Sequence, residues 1–97
     1  MSHYLLTATD KAGAMDRRIA CRDEHIAYID KLRDQDKALL GAAQLDDDGK
    51  MSGSVIFFDM TKEELDDYMK EEPYITNKVW GDIKITECKI GPSFKNN

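Results

Sequence analysis

The sequence predicts one α+β unit: a four-stranded antiparallel sheet with two helices packed on one face, in the order β-α-β-β-α-β. Three observations carry the prediction. Thr61-Lys62-Glu63-Glu64 is a capping box, in which the threonine caps a helix and the glutamate three residues on returns the bond. Asp48-Gly49 stands between two apolar runs and marks a hairpin. Val55-Ile56-Phe57-Phe58 is apolar at every position, so its strand needs cover on both faces. In so short a chain the helices supply one layer, and a second subunit is the simplest source of the other.

His3–Thr9 reads as the first strand, with Tyr4, Leu6 and Ala8 on one face and His3, Leu5, Thr7 and Thr9 on the other. Asp10-Lys11-Ala12-Gly13 is the turn out of it. Ala14 to about Asp36 follows as a long helix, with Met15, Ile19, Ile26, Ile29 and Leu32 as its apolar stripe. Ala38–Leu45 is the second strand, Asp46–Lys50 the hairpin turn and Met51–Asp59 the third strand. The acidic turn lacks the ligand spacing and closing glutamate of a calcium loop. The second helix runs from the capping box to about Lys70, with Leu65, Tyr68 and Met69 facing in, and Pro73 stops it. Ile75–Val79 is a connection. Trp80–Ile90 is the fourth strand, with Ile83 and Ile85 on one face and Trp80, Lys84, Thr86 and Cys88 on the other. Gly91–Asn97 is a tail that frays at its end. This order is the ferredoxin-like split βαβ arrangement. In a face-to-face dimer the uncovered sheet face would line an enclosed space, and a ligand cavity is expected there.

The 97 residues make one domain, 1–97. The net charge of −5 argues against nucleic acid as a partner, because phosphate contacts need a basic surface. No apolar run is long enough to cross a bilayer, so no membrane role is expected. Met1-Ser2-His3-Tyr4 has neither the basic start nor the apolar run of a signal peptide, so a cytoplasmic location is expected. Cys21 and Cys88 make no disulfide framework and no metal-ligand spacing; Cys21 reads as a small core-side hydrophobe. His3 and His25 have no paired ligand at useful spacing, and Gly49 and Gly53 make no phosphate loop. Neither metal nor cofactor is therefore expected.

Arg18, Arg22 and His25 stand at i, i+4 and i+7, on one face of the long helix. Arg22 interrupts the apolar stripe. Either it borders a polar pocket, or its stem covers core while its head reaches water. The planar guanidinium forks suit a carboxylate or phenolate. They could equally pair with Asp16, Asp23 or Glu24, at about 0.2–0.5 kcal/mol per pair. His25 has the side chain whose ordinary titration lies near neutrality.

Three pieces of the chain resemble the YCII-related family: Arg18-x-x-x-Arg22-x-x-His25, Gly49-x-Met51-x-Gly53-Ser54, and Glu72-Pro73-Tyr74. The resemblance implies a dimeric α+β barrel of ferredoxin-like subunits, related in fold to muconolactone isomerases and small monooxygenases. It also implies a His/Asp pair in a cavity near the dimer interface; some relatives dechlorinate chlorinated hydroxyquinols. Carried onto this chain, it makes His25 the acid–base group and Glu72 its orienter. Arg18, Arg22, Ser54 and Tyr74 become ligand-binding residues. Tyr74 has a second reading, as an aromatic plug behind the proline turn, and Trp80 reads as wall or interface. Two departures stand out. The family's Asp-Pro-Tyr is Glu72-Pro73-Tyr74, whose carboxylate reaches one methylene further, and its Gly-Pro-Leu is Ala43-Gln44-Leu45, which leaves Gln44 as a new polar group beside the pocket wall.

The function implied is cofactor-independent acid–base chemistry, a lyase (dehydrochlorinase-like) or isomerase acting on a small anionic or phenolic cyclic compound. The alternative is a small-molecule binding or sensing module without turnover. A third reading is an interaction protein whose Arg18–His25 edge is merely solvated.

Overall fold

A computed structural model describes residues 2–94; Met1 and the Lys95–Asn97 part of the expected tail lie outside the described residues. The chain runs β1 (Ser2–Asp10), α1 (Met15–Asp34), β2 (Ala38–Leu45), β3 (Met51–Met60), α2 (Lys62–Glu71), α3 (Pro73–Thr76), β4 (Trp80–Cys88) and a 3-10 turn at Pro92–Phe94. The sheet is antiparallel throughout, in the order β2-β3-β1-β4. This is the α+β, ferredoxin-like arrangement the sequence predicts, with the short α3 added. No described helix is long and apolar enough to cross a membrane.

The local signals work as the chemistry requires. Thr61 and Glu64 form the reciprocal capping box, with bonds of 3.0 and 3.1 Å. The hairpin closes through Asp46 N–H to Lys50 O, 2.8 Å, with Gly49 at φ 79°. Pro73 stops α2 and then serves as the first residue of α3, where its missing N–H is no loss. The predicted connection from Ile75 is therefore partly helical. The helix α3 ends on Lys78 at φ 59°, with Val79 N–H bonded to Tyr74 O at 2.9 Å. That left-handed exit turns Val79 and Trp80 into the core.

Alternation along the strands sets two faces. Tyr4, Leu6 and Ala8 of β1 and Ile56, Phe58 and Met60 of β3 are buried beneath the helices. Leu5, Thr7, Val55 and Phe57 lie half-buried on the opposite face.

Three expectations are corrected. Between β1 and β4 the register passes from Ala8↔Ile83 to Asp10↔Trp80, so β4 carries one extra residue there. A bulge of this kind flips the parity of alternation. It places Trp80 on the helix side with Ile83, not on the face of Lys84 and Thr86. Gln44 pairs with Gly53 and is exposed, while Ala43 pairs with Ser54, so Gln44 does not border the cavity described below. On α1 the inward seam is Ala14, Arg18 and Cys21, buried, then His25, Tyr28 and Leu32, half-buried, whereas Ile19, expected in the core stripe, is 61% exposed. The helix thus turns inward a row that contains an arginine and a histidine.

Candidate active site

The seam of α1 meets α3 and the first residues of β4 at a buried carboxylate. Glu72 caps α3, so its side chain is fixed by the same proline turn that ends α2. It is 0% exposed. Three donors converge on it. Oε1 accepts the Tyr74 N–H at 3.0 Å and is bonded to His25 Nδ1, while Oε2 accepts the Tyr68 hydroxyl. A carboxylate accepts only, so the hydrogen between them stands on His25 Nδ1, and in the neutral imidazole Nε2 carries the lone pair. The imidazole lies flat on the Tyr74 ring, with centroids 3.9 Å apart and planes 8° apart, and meets Trp80 edge-on at 6.0 Å. Aromatic walls on two sides hold it in one orientation.

Arg18 is 2% exposed. Its Nε and Nη2 form a fork to Asp10, 2.7 and 3.2 Å, and Nη2 also reaches Gly53 O and Ser54 Oγ, each at 2.9 Å. Among the described residues its Nη1 meets only the Met51 sulfur, at 3.7 Å. The guanidinium also stands 4.9 Å over the Tyr74 ring. Gly53 is required by backbone geometry: a Cβ there would stand 2.4 Å from Ala8 O in the neighbouring strand. Ser54 Oγ accepts from both Arg18 Nη2 and Trp80 Nε1, the latter at 3.1 Å. Both its lone pairs are then engaged, and its hydrogen is left to donate.

These groups border a cavity of about 300 Å³ between α1 and the β2–β3 half of the sheet. Its polar lining is His25, Arg18, Arg22, Ser54, Tyr74 and Asp30; Ile26, Ile29 and Gly41 line it as well. This cavity is on the helix-covered face, which corrects the expectation that the predicted residues look onto the open face. The reason is that β2 is an edge strand whose Gly41-Ala42-Ala43 run leaves α1 uncovered on that flank. The open face carries a separate hollow of about 350 Å³ beside Leu39, Leu40, Phe57, Ile90 and Phe94.

The structure thus brings all six predicted residues together but gives the two arginines different surroundings. Arg18 is committed to Asp10. Arg22 is exposed at the cavity and has no hydrogen bond or ion pair among the described residues, so neither arginine pairs with Asp16, Asp23 or Glu24. Tyr74 is 1% exposed and its ring both stacks on His25 and borders the cavity, so the plug and ligand-side readings describe one side chain. Sequence reasoning missed Asp10, read as a turn residue, and the hydroxyl of Tyr68, read only as core. The four-residue spacing of Tyr68 and Glu72 on one helix was an available signal.

Burial raises the Tyr68 hydroxyl well above its ordinary value of 10.0, with the Glu72 charge adding to the effect. Burial likewise raises Tyr74, and it raises Tyr28 together with the bond to Glu71. A folded-state value above the unfolded one gives stability that is complete below the unfolded value and lost as pH rises. Burial raises the Cys21 thiol above its ordinary 9.0 as well, so denaturant unfolding between pH 8 and 11 should show stability beginning to fall near pH 9 and falling further beyond pH 10. Equal stability at pH 9 and pH 11 would contradict this.

Three findings place the chain among known proteins. The structure of 5-chloro-2-hydroxyhydroquinone dehydrochlorinase from Burkholderia phenoliruptrix, in complex with 2,5-dihydroxybenzoquinone, superposes with a TM-score of 0.82 at 21% identity, over 96% of this chain and 99% of that one. An antibiotic biosynthesis monooxygenase matches with a TM-score of 0.56 at 17% identity, over 95% and 100%. A protein of Agrobacterium tumefaciens matches with a TM-score of 0.56 at 11% identity, over 95% of each chain. At these identities the likeness is one of fold. No curated protein matches by sequence. The model of the YCII-related domain matches residues 2–89, and the chain belongs to that family.

Proposed function

We propose that this chain is an acid–base enzyme, a lyase or isomerase, acting on a small anionic or phenolic ring compound. One observation carries the reading: a histidine on a cavity wall has Nδ1 fixed by a fully buried carboxylate and Nε2 free. Nε2 takes a proton from a ring C–H or O–H next to a carbonyl or enol, and the bonding pair moves into the ring. In an elimination that pair expels an anionic leaving group, which departs with its own bonding electrons. In an isomerisation the imidazolium returns the proton to another ring carbon. Arg22, with no ion pair among the described residues, holds the substrate's negative group, and Arg18 adds charge through Nη1 while Asp10 anchors the rest. The Ser54 and Tyr74 hydroxyls steady the developing oxyanion. The dehydrochlorinase of similar fold, which acts on a chlorinated hydroquinone, supports this substrate class.

The test is imidazole ¹⁵N NMR of His25 in the native protein and in Glu72→Gln, during a screen of aromatic acids and hydroxyquinols. The native spectrum should show the Nδ1–H tautomer, Glu72→Gln should mix the tautomers, and a bound ring compound should move the Nε2 resonance. Identical spectra in both proteins, with no compound acting on the ring, would end the enzyme reading.

The assembly belongs to the same proposal. Leu40 and Leu45 are exposed on β2, and Leu5, Val55 and Phe57 lie on the sheet face away from the helices. A second copy of the chain covers this surface. Light scattering should give twice the chain mass at micromolar concentration; a monomer there would contradict it.

A further inference from the structure

The strands β2 and β3 carry glycines that sit near the cavity for opposite reasons. Gly53 is imposed by backbone contact, as the 2.4 Å approach of Ala8 O shows. Gly41 is not. It has no left-handed φ, and a Cβ built on it would stand 3.7 Å from Val55 O and 3.8 Å from Ile56 Cγ1, ordinary van der Waals distances. A glycine inside a strand weakens the strand and marks either a bulge or a close approach of another group; the β2 register shift lies before it, between Ala38 and Leu40, while Gly41 itself is in regular pairing with Ile56. Gly41 pairs with Ile56, whose side chain faces the helices, so a side chain at 41 would project into the cavity.

The cavity wall is divided along α1. Arg22 and His25 line it toward the helix start; Ile26 and Ile29 line it further on, together with Asp30, which is ion-paired with Arg33, and Ile56 lies 3.8 Å from a Cβ built on Gly41. From Arg22 to Ile29 the helix advances roughly 10 Å, more than a single six-membered ring spans. A ring held by Arg22 and Ser54 therefore leaves the Gly41 side unfilled.

We infer that Gly41 is a specificity-determining residue: its missing side chain opens an apolar subsite for a second ring, or a short alkyl group, carried by the anionic ring substrate. The inference rests on the reading of the cavity as an anionic-ring site and extends it. Arg22 and Ser54 fix the charged head, and the Ile26–Ile29 wall and the bare backbone of β2 receive the apolar extension. Removing that extension from water is the favourable contribution.

The experiment compares two probes with the same head group, salicylate and a hydroxynaphthoate carrying the same ortho carboxylate–hydroxyl pair on a fused second ring. Affinities are measured by calorimetry for the native protein, Gly41→Ala and Gly41→Val. The native protein should prefer the naphthoate by about tenfold or more. Gly41→Ala should reduce that preference and Gly41→Val abolish it. Thermal unfolding guards the comparison: both variants should melt no lower than the native protein, because alanine and valine suit a strand better than glycine. An unchanged preference in Gly41→Val overturns the inference. So does native protein that binds salicylate and gains nothing from the second ring, an outcome that leaves the proposed function standing. If neither probe binds the native protein at millimolar concentration, both fall together.

Discussion

Replacing Arg18 by methionine is expected to remove about 3–5 kcal/mol of folding stability, the usual cost of stripping one partner from a buried ion pair. Arg18 is buried and Asp10 half-buried, and the fork between them has bonds of 2.7 and 3.2 Å. Without the guanidinium, Asp10 loses the partner that both its oxygens accept from, and Gly53 O and Ser54 Oγ each lose a donor. Methionine fills similar volume, so the loss reports charge and hydrogen bonding more than a cavity. The sharper version is a cycle with Asp10→Leu. Removing both charges should cost less than the two single losses added together, because the desolvation penalty disappears with the pair. Urea unfolding of the four proteins measures this. A single loss under about 1 kcal/mol, the range of surface pairs, would show that the pair is not structural.

His25→Gln is expected to lower turnover of a substrate found in the NMR screen by about 10²–10⁴-fold, the usual contribution of a positioned acid or base. The amide can still hydrogen-bond to Glu72, and its size suits the place between Tyr74 and Trp80. It has no lone pair that can take a proton near neutral pH. Ligand affinity should change only a few-fold, since Arg22, Ser54 and Tyr74 remain on the cavity wall. The two measurements separate the enzyme from a binding module. A module shows no turnover in either protein and keeps its affinity. An enzyme that keeps its rate in His25→Gln would place the proton transfer elsewhere.

The two substitutions act two turns apart on one helical row, and that row explains what could be read in advance. Burying a charge is unfavourable unless it is paired, so apolar periodicity points to Ile19 as core and away from Arg18. The partner that reverses the argument is Asp10, at the end of a strand, and its approach to Arg18 depends on how β1 lies against α1. The same holds for Trp80. Its face follows from one extra residue in the β1–β4 pairing, and a bulge leaves no mark in the pattern of alternation.

By itself the sequence determined the elements whose signals are local: the Thr61–Glu64 box, the Asp48-Gly49 hairpin, the stop at Pro73 and the doubly apolar third strand. It also brought His25 and Glu72 into one frame through the three motifs, and it held the small residues at Gly41–Ala43 in plain view. Tertiary structure alone decided that the cavity opens on the helix side of the sheet, that Arg18 is bound while Arg22 has no ion pair among the described residues, and that Tyr68 completes the bonding of Glu72. The physical reason is range. Caps and turns are satisfied by neighbours within four residues, whereas a buried charge is satisfied by whichever group the packed strands and helices bring to it.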